Sequence, residues 1–303
     1  MRVTQSMLSN NMLRNLSNSY SKMGRLQDQL TTQKKVNRPS DDPVVAMKGM
    51  AFRMQVDKVE QYQRNLGEVH NWLDTSDDAL DQVGEALKRL QELVVDASND
   101  TKTQDDREKI LEEIKQLRTQ IQDLANTKVG DKHLFSGTNT GTPLFVDGEM
   151  VDPADYPGLG NDVTIGVFDG VQLKVNTNGN ELFSNIDEMM ESIINKIDKL
   201  NADGTPADDP TGEEISSFLT DIDKQQNAVL EARADIGARQ NRAEMMEHRL
   251  DTQEVISKKQ MSENEDIDIE QVITEMITQE SVHRVALSVG ARIIQPSLVD
   301  FLR

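Results

Sequence analysis

The chain is predicted to be mainly α-helical, with long antiparallel helical rods in a hairpin layout, paired terminal helices and a small β-rich insertion at the tip. Three observations predict this. Only 36% of the 303 residues are hydrophobic and 4% aromatic, which suits burial along narrow seams better than a thick globular core. Apolar residues recur at three- and four-residue steps through most of the chain, the period of one helix face. The tract Arg38-Pro39-Ser40-Asp41-Asp42-Pro43 interrupts one such pattern and launches the next, because proline breaks a helix interior and pushes the residue before it out of the helical region. The expected division is terminal arms at 1–42 and 262–303, a rod at 43–133 and 184–261, and a β insertion at 134–183.

In the first arm Leu8, Met12, Leu16, Met23, Leu26 and Leu30 fall on one stripe. A single narrow stripe does not hold a helix in water unless something packs on it, so the arm requires a partner. In the hinge, Asp42 is placed to cap the following helix and Pro43 to occupy its first position, where a missing N–H costs nothing.

Beyond the hinge, Phe52, Val56, Val59, Leu66, Leu73, Leu80, Val83, Leu87, Leu90 and Val94 continue one stripe to about Ser98, a rod on the order of 80 Å long at about 1.5 Å per residue. Ser98-Asn99-Asp100 supplies turn formers. A shorter helix, folded back antiparallel, then carries Ile110, Ile114, Leu117, Ile121 and Leu124 and is expected to end at Gly130. From Leu134 to Phe183 the pattern turns to strands, and Asp169-Gly170 between two alternating runs signals a hairpin. A short helix with Ile186, Met190, Ile193 and Ile197 follows, and then a polar linker from Asn201 to Gly212.

The return rod begins near Glu213 with Ile215, Leu219 and Ile222, and from there takes seven-residue steps through Val229, Ile236, Ala243 and Leu250. An acidic run, Ser262 to Asp268, breaks the pattern and is expected to be a solvated connector, since it lacks the central glycine of a calcium loop. The last helix carries Ile269, Ile273, Met276, Leu287, Ile294 and Phe301 on one side, with Pro296 bending or ending it. The stripes of the two arms form the candidate assembly interface. Their methionines supply adaptable packing that suits unlike neighbours.

A net charge of −20 argues against nucleic-acid binding, which needs a basic footprint. The sign is uneven: residues 1–40 hold seven basic side chains against the single acid Asp28, and residues 262–303 hold three basic against eight acidic. The arms therefore attract each other, and an acidic partner helix in the same chain favours helix pairing over a membrane surface for the basic arm. Without cysteine there is no disulfide framework and no thiol chemistry. His70, His133, His248 and His283 lie far apart, and no nucleophile–base set or phosphate-cradling glycine loop is recognisable, so neither catalysis nor a metal or other cofactor is expected. No apolar run of signal-peptide or membrane-spanning length occurs.

Four tracts in order resemble the bacterial flagellin superfamily across nearly the whole chain. The hinge Arg38-Pro39-Ser40-Asp41-Asp42-Pro43 is similar to that of its hook-filament junction members, with Pro43 where flagellins proper usually have alanine. Leu134-Phe135-Ser136-Gly137-Thr138 resembles the first strand beyond the rods. Asp235 to Arg242, with Ile236, Gly237, Arg239, Asn241 and Arg242, is similar to the return-rod signature, and Gln295-Pro296-Ser297-Leu298 resembles the terminal segment.

The resemblance implies a non-enzymatic structural subunit of the bacterial flagellum that joins a hook-side axial protein to the flagellin filament. It implies secretion by the flagellar type III export apparatus with an export chaperone, and an extracellular position at the hook-filament junction. The implied partners are flagellin, the hook-proximal hook-associated protein and copies of itself in a ring. The arms would form an inner tube and the rods an outer one, with the β tip facing solvent. A minor flagellin, or a soluble secreted coiled-coil protein, is the alternative.

Overall fold

The structure is a computed structural model that describes residues 5–99, 102–152, 156–198 and 211–294. Its helices are α1 (Gln5–Thr32), α2 (Pro43–Ala97), α3 (Gln104–Ala125), α4 (Gly179–Ile197), α5 (Gly212–Ser216), α6 (Phe218–Glu265) and α7 (Ile269–Ile294). Its strands are β1 (Lys128–Val129), β2 (Lys132–His133), β3 (Phe145–Val146), β4 (Glu149–Met150), β5 (Thr164–Phe168) and β6 (Val171–Lys174), paired as three separate antiparallel hairpins. Pro296, Phe301, the side chain of Ile294 and most of the expected linker at 201–212 lie outside the described residues.

The chain forms two compact units, one from Met1–Val59 with Thr252–Arg303 and one from Glu60–Asp251. The borders fall inside α2 and α6 and not at the hinge, and the strands are not a unit of their own. The strands stay with the helices because their polar groups are satisfied there. Asn126, just past α3, accepts from the amides of Leu144 and Phe145 at 2.9 and 3.0 Å and donates to the Phe145 carbonyl at 2.9 Å.

In the second unit the seven-residue rows expected from sequence are buried on both long helices. Leu66, Leu73, Leu80, Leu87 and Val94 of α2, and Ile222, Val229, Ile236, Ala243 and Leu250 of α6, are at most 2% exposed. A second row on α2, Val69, Ser76, Val83, Leu90 and Ala97, is also fully buried. Two buried rows mean that α2 has partners on two sides, and Arg89 reaches α3 at Glu113 at 2.7 Å. Polar pairs along the flank fix the α2/α6 register. Gln91 donates to Asp223, Arg233 to Asp77 and Asp81, and Gln240 to Asp74, while His70 faces Glu247. As α6 advances its partners on α2 recede, so the helices are antiparallel.

Several local expectations are corrected. α3 ends at Ala125, where the Asn126 amide closes the last turn on the Gln122 and Asp123 carbonyls. Gly130, with φ +62°, serves the β1–β2 turn instead. Strands begin at Lys128, before the expected border at 134. Leu134–Thr138 is a turn, buried from Leu134 to Gly137, and not a strand: Gly137 has φ +60°, and a Cβ there would stand 2.4 Å from the Gly158 carbonyl oxygen that receives the Thr138 amide. Phe135 fills the interior edge-on to Phe183 at 5.1 Å, and Gly179 is needed beside it because a Cβ would lie 2.5 Å from that of Phe135. α4 starts at Gly179, under an Asn178 cap, so Phe183 belongs to the helix. The Asp169-Gly170 hairpin forms as expected, with Val167 and Leu173 inward.

Candidate assembly interface

In the first unit α1 and α7 pack against each other. Each presents two interleaved seven-residue rows: Met12, Ser19, Leu26 with Leu16, Met23, Leu30 on α1, and Val272, Gln279, Ala286 with Met276, His283, Gly290 on α7. Of these, Ser19, Val272 and Gly290 are buried and the rest are half-buried. Of the stripe expected from sequence, Met12, Leu16, Met23, Leu26, Leu30 and Met276 lie in this seam. Leu8, Ile273 and Leu287 do not, being 47%, 44% and 47% exposed. For the two α7 residues the reason is a difference in helical phase. Ile273 and Leu287 each stand one position beyond the seam residues Val272 and Ala286, about 100° around the helix.

The centre of the arm seam is polar, which the apolar stripe does not reveal. Gln279 donates to the Ser19 hydroxyl at 2.8 Å, and Tyr20 leans on His283 with ring centroids 6.1 Å apart. Farther along, Met12 lies over Gly290 so closely that a Cβ there would overlap its methyl group. Ser19 was recoverable from sequence, since it fills the slot seven residues from both Met12 and Leu26.

At the base of the arms an ion cluster replaces the expected solvated connector. α6 continues to Glu265, which is only 7% exposed. Arg53 donates to both of its oxygens, from Nε at 2.8 Å and from Nη2 at 2.7 Å. Lys34 stands 3.4 Å from Glu265 and donates to Asp266 at 2.6 Å. The backbone joins in: the Lys35 amide donates to the Glu265 carbonyl, and the Ile267 amide to the Gln33 carbonyl. Gly49 leaves the room required, since a Cβ there would stand 2.6 Å from Glu265 Oε1. Hydrogen bonding from Arg53, helped by Lys34, holds the Glu265 carboxyl below its usual range. Hydrogen bonds from Lys34 and Ser262 do the same for Asp266, and Asp266 in turn raises Lys34.

The hinge behaves as its chemistry requires. Asp42 Oδ1 accepts from the amides of Val44 and Val45 at 3.0 and 3.1 Å, with Pro43 opening α2. The Asp41 carboxylate accepts from the Arg38 amide at 3.2 Å, and the Asp41 amide donates back to the Arg38 carbonyl at 2.9 Å, so Pro39 and Ser40 sit in a closed turn. In the rod signature, Ile236 is fully buried and Arg239 donates to the Asn176 carbonyl at 2.7 Å while pairing with Asp235. Gly237 has open space around its Cα, and Asn241 and Arg242 are exposed.

The opposite charges of the arms meet only in part. Lys34 and Lys35 reach the acidic segment, Lys35 Nζ donating to the Glu263 carbonyl at 2.7 Å. Among the described residues, no ion pair joins Arg14, Lys22 or Arg25 to α7. Nor is any group of three or more acidic or histidine side chains placed to hold a metal ion, or any helix long and apolar enough to cross a membrane.

Comparison with known proteins gives one picture. The bacterial flagellin N-terminal helical region matches residues 3–140, and the C-terminal helical region matches residues 219–302. Flagellar hook-associated protein 3 of Escherichia coli is 27% identical over 292 residues, 92% of each chain. A flagellin of Halalkalibacterium halodurans is 28% identical over 76% of this chain and 73% of its own. Among solved structures, a flagellar hook-associated protein of Vibrio parahaemolyticus superposes with TM-score 0.63 at 23% identity, covering 75% of this chain and all of its own. A hook-associated protein 3 of Legionella pneumophila gives 0.60 at 16% identity, over 71% and 98%.

Proposed function

The chain belongs to the bacterial flagellin superfamily, and from that premise we propose that it is the structural subunit joining the hook side of the flagellum to its flagellin filament. The observation that carries the reading is the outward face of the paired arms. Leu8, Leu13 and Tyr20 of α1, and Ile273, Ile277, Val285 and Leu287 of α7, are all more than two-fifths exposed. Two helices that bury one seam and leave this much apolar surface in water are built to be covered by neighbours. Likeness to hook-associated protein 3 along 92% of both chains supports the junction over the filament, as does Pro43 in the hinge.

On this reading the neighbours are copies of the same chain in a ring, the hook-proximal hook-associated protein on one side and flagellin on the other. The subunit acts outside the cell, delivered by the flagellar type III export apparatus with an export chaperone. The rival is a minor flagellin, whose only neighbours are filament subunits, since flagellin similarity extends over three-quarters of the chain. Deletion separates the two: loss of a junction subunit leaves bare hooks and sheds flagellin into the medium, whereas loss of a minor flagellin leaves filaments. Antibody label confined to the base of isolated filaments supports the junction, and label along the whole filament overturns it.

A further inference from the structure

The chain has no cysteine, so its sulfur chemistry rests on methionine. On the first part of α2, Met47, Met50 and Met54 face away from the packed side of the helix and are 64%, 56% and 65% exposed. At about 100° per residue they fall within about 60° of one another over about two turns. Exposed Val44 and Ala51 stand beside them. The far side of the same segment holds the interior, where Gly49, Val56 and Val59 are buried.

The other methionines are placed differently. Met189 and Met190 of α4 are buried, and Met12, Met23 and Met276 are half-buried in the arm seam. Met7 and Met245 are exposed, but each stands without a second exposed methionine on its face.

The reactivity of sulfur toward two-electron oxidants follows its access to solvent. We propose that Met47, Met50 and Met54 form a reversible oxidation site whose reactant is an oxygen donor of the peroxide class. Each thioether sulfur attacks one peroxide oxygen, the O–O bond breaks and an S=O bond forms. The proton of the transferred oxygen passes to the departing hydroxide, which leaves as water. Sulfur loses two electrons and the peroxide gains them.

The product sulfoxide is polar and chiral. Because the stripe lies opposite the buried side of α2, its new oxygens enter water and not the interior. Oxidation therefore turns an apolar face polar and leaves the fold intact. The same reaction at Met190, or at Met12 over Gly290, would push an oxygen into packed space. Sulfoxide reductases, one for each epimer, return the thioethers. The site belongs to the free chain and is independent of where the subunit stands in a flagellum.

The test treats the folded full-length chain with hydrogen peroxide and follows each methionine by peptide mass spectrometry. Met47, Met50 and Met54 should gain one oxygen each about tenfold faster than Met189 and Met190, while the main thermal transition stays in place. On a hydrophobic-interaction column the oxidised chain should elute earlier, and treatment with both reductases should reverse the shift. The Met47→Leu, Met50→Leu, Met54→Leu variant keeps the apolar face without its sulfur, so peroxide should leave its elution nearly unchanged. Met47→Gln, Met50→Gln, Met54→Gln should elute early without peroxide. If the leucine variant shifts as far as wild type, the change in polarity lies at other methionines and the proposal fails. It fails equally if Met189 and Met190 keep pace with the stripe, or if the thermal transition falls as the stripe is oxidised, because the reaction then requires or causes unfolding.

Discussion

The arm pair α1/α7 and the rod pair α2/α6 are built on the same seven-residue grammar and differ in what fills the slots. In the second unit the rows hold Leu, Ile and Val at almost every turn, and these side chains are at most 2% exposed. In the arms the equivalent slots hold Ser19, Gln279, His283, Ala286 and Gly290 among methionines and leucines, and most stay half in water. Heptad spacing decides which helices pair, while the number of neighbours decides how deeply. α2 buries two rows because other helices of its unit flank it. Each arm helix buries one seam, against the other arm helix, and its remaining described surface stays exposed, as the assembly proposed above requires.

Equal damage to the two seams should have unequal effects. Leu80→Ala should cost about 2–5 kcal/mol of the second unit's stability, the usual range for truncating a fully buried leucine, and Leu80→Asp should prevent its folding. Leu16→Ala, at a half-buried slot, should cost about 1 kcal/mol or less and leave the main thermal transition in place. Calorimetry decides. Equal losses at Leu80 and Leu16 would mean that the arms are as fully packed as the rods.

The seven-residue rows were legible in the sequence because full burial on one face demands uninterrupted apolar residues, and from Ile222 to Leu250 nothing breaks the count. The hinge was legible because Pro and Asp have few other uses at a helix start. The arm seam was only half legible. Its polar and small members carry no hydrophobic signal, so an apolar stripe selects Ile273 and Leu287 instead, which face outward. The Glu265 cluster was hidden for a different reason: its partners Lys34 and Arg53 lie more than two hundred residues away in the chain. In sequence such an acid looks like its solvated neighbours.

A smaller effect should follow from loosening the arm base. Glu265→Gln removes a buried carboxylate from two cations, but the Arg53 side chain is 60% exposed, so solvent recovers much of the loss. The expected cost is about 1–2 kcal/mol, read as weaker amide protection in α1 while the second unit is unchanged. The same cluster sets a pH dependence. Glu265 and Asp266 have folded-state values depressed by their basic partners. Their contribution is therefore complete above the unfolded-state values of about 4 and is lost as pH falls through the lower folded-state values. Acid should release the arm base in wild type, and that acid-dependent step should shrink in Glu265→Gln. An identical acid response in both would show that Glu265 does not hold the arm.

Gly290→Ala tests the close approach of the arms at about the same scale or slightly less. The new methyl would occupy the space of the Met12 side-chain end, a flexible group that can swing aside, so the expected cost is about 1 kcal/mol and not the several typical of a rigid clash. Met12→Ala in the same chain should relieve it. A double-mutant cycle on arm protection measures the coupling, and additive effects would place Met12 elsewhere than over Gly290.

The smallest expected change in stability, and the most informative about assembly, comes from Ser19→Leu. The wild-type layer exchanges hydrophobic burial for one hydrogen bond from Gln279, worth about 0.5–1.5 kcal/mol net, and leucine would restore a seam like that of the rods. Paired with Gln279→Leu, so that no amide is left stranded, the variant should hold the arms together as well as wild type or better. What it should lose is register. A single polar layer in an otherwise apolar seam fixes which turns face each other at some expense of stability, and without it Met12, Leu16 and Met23 can meet Met276 or Ala286 one heptad out of place with little penalty. The chain has no cysteine, so spin labels at Arg14→Cys and Val285→Cys report the alignment directly. One sharp distance in wild type and a broadened or doubled distribution in the Ser19→Leu, Gln279→Leu variant is the expected result. Unchanged sharpness would mean that the base cluster at Glu265 already sets the register, and that the polar layer serves only to keep the arm seam weak enough to be remodelled by its neighbours.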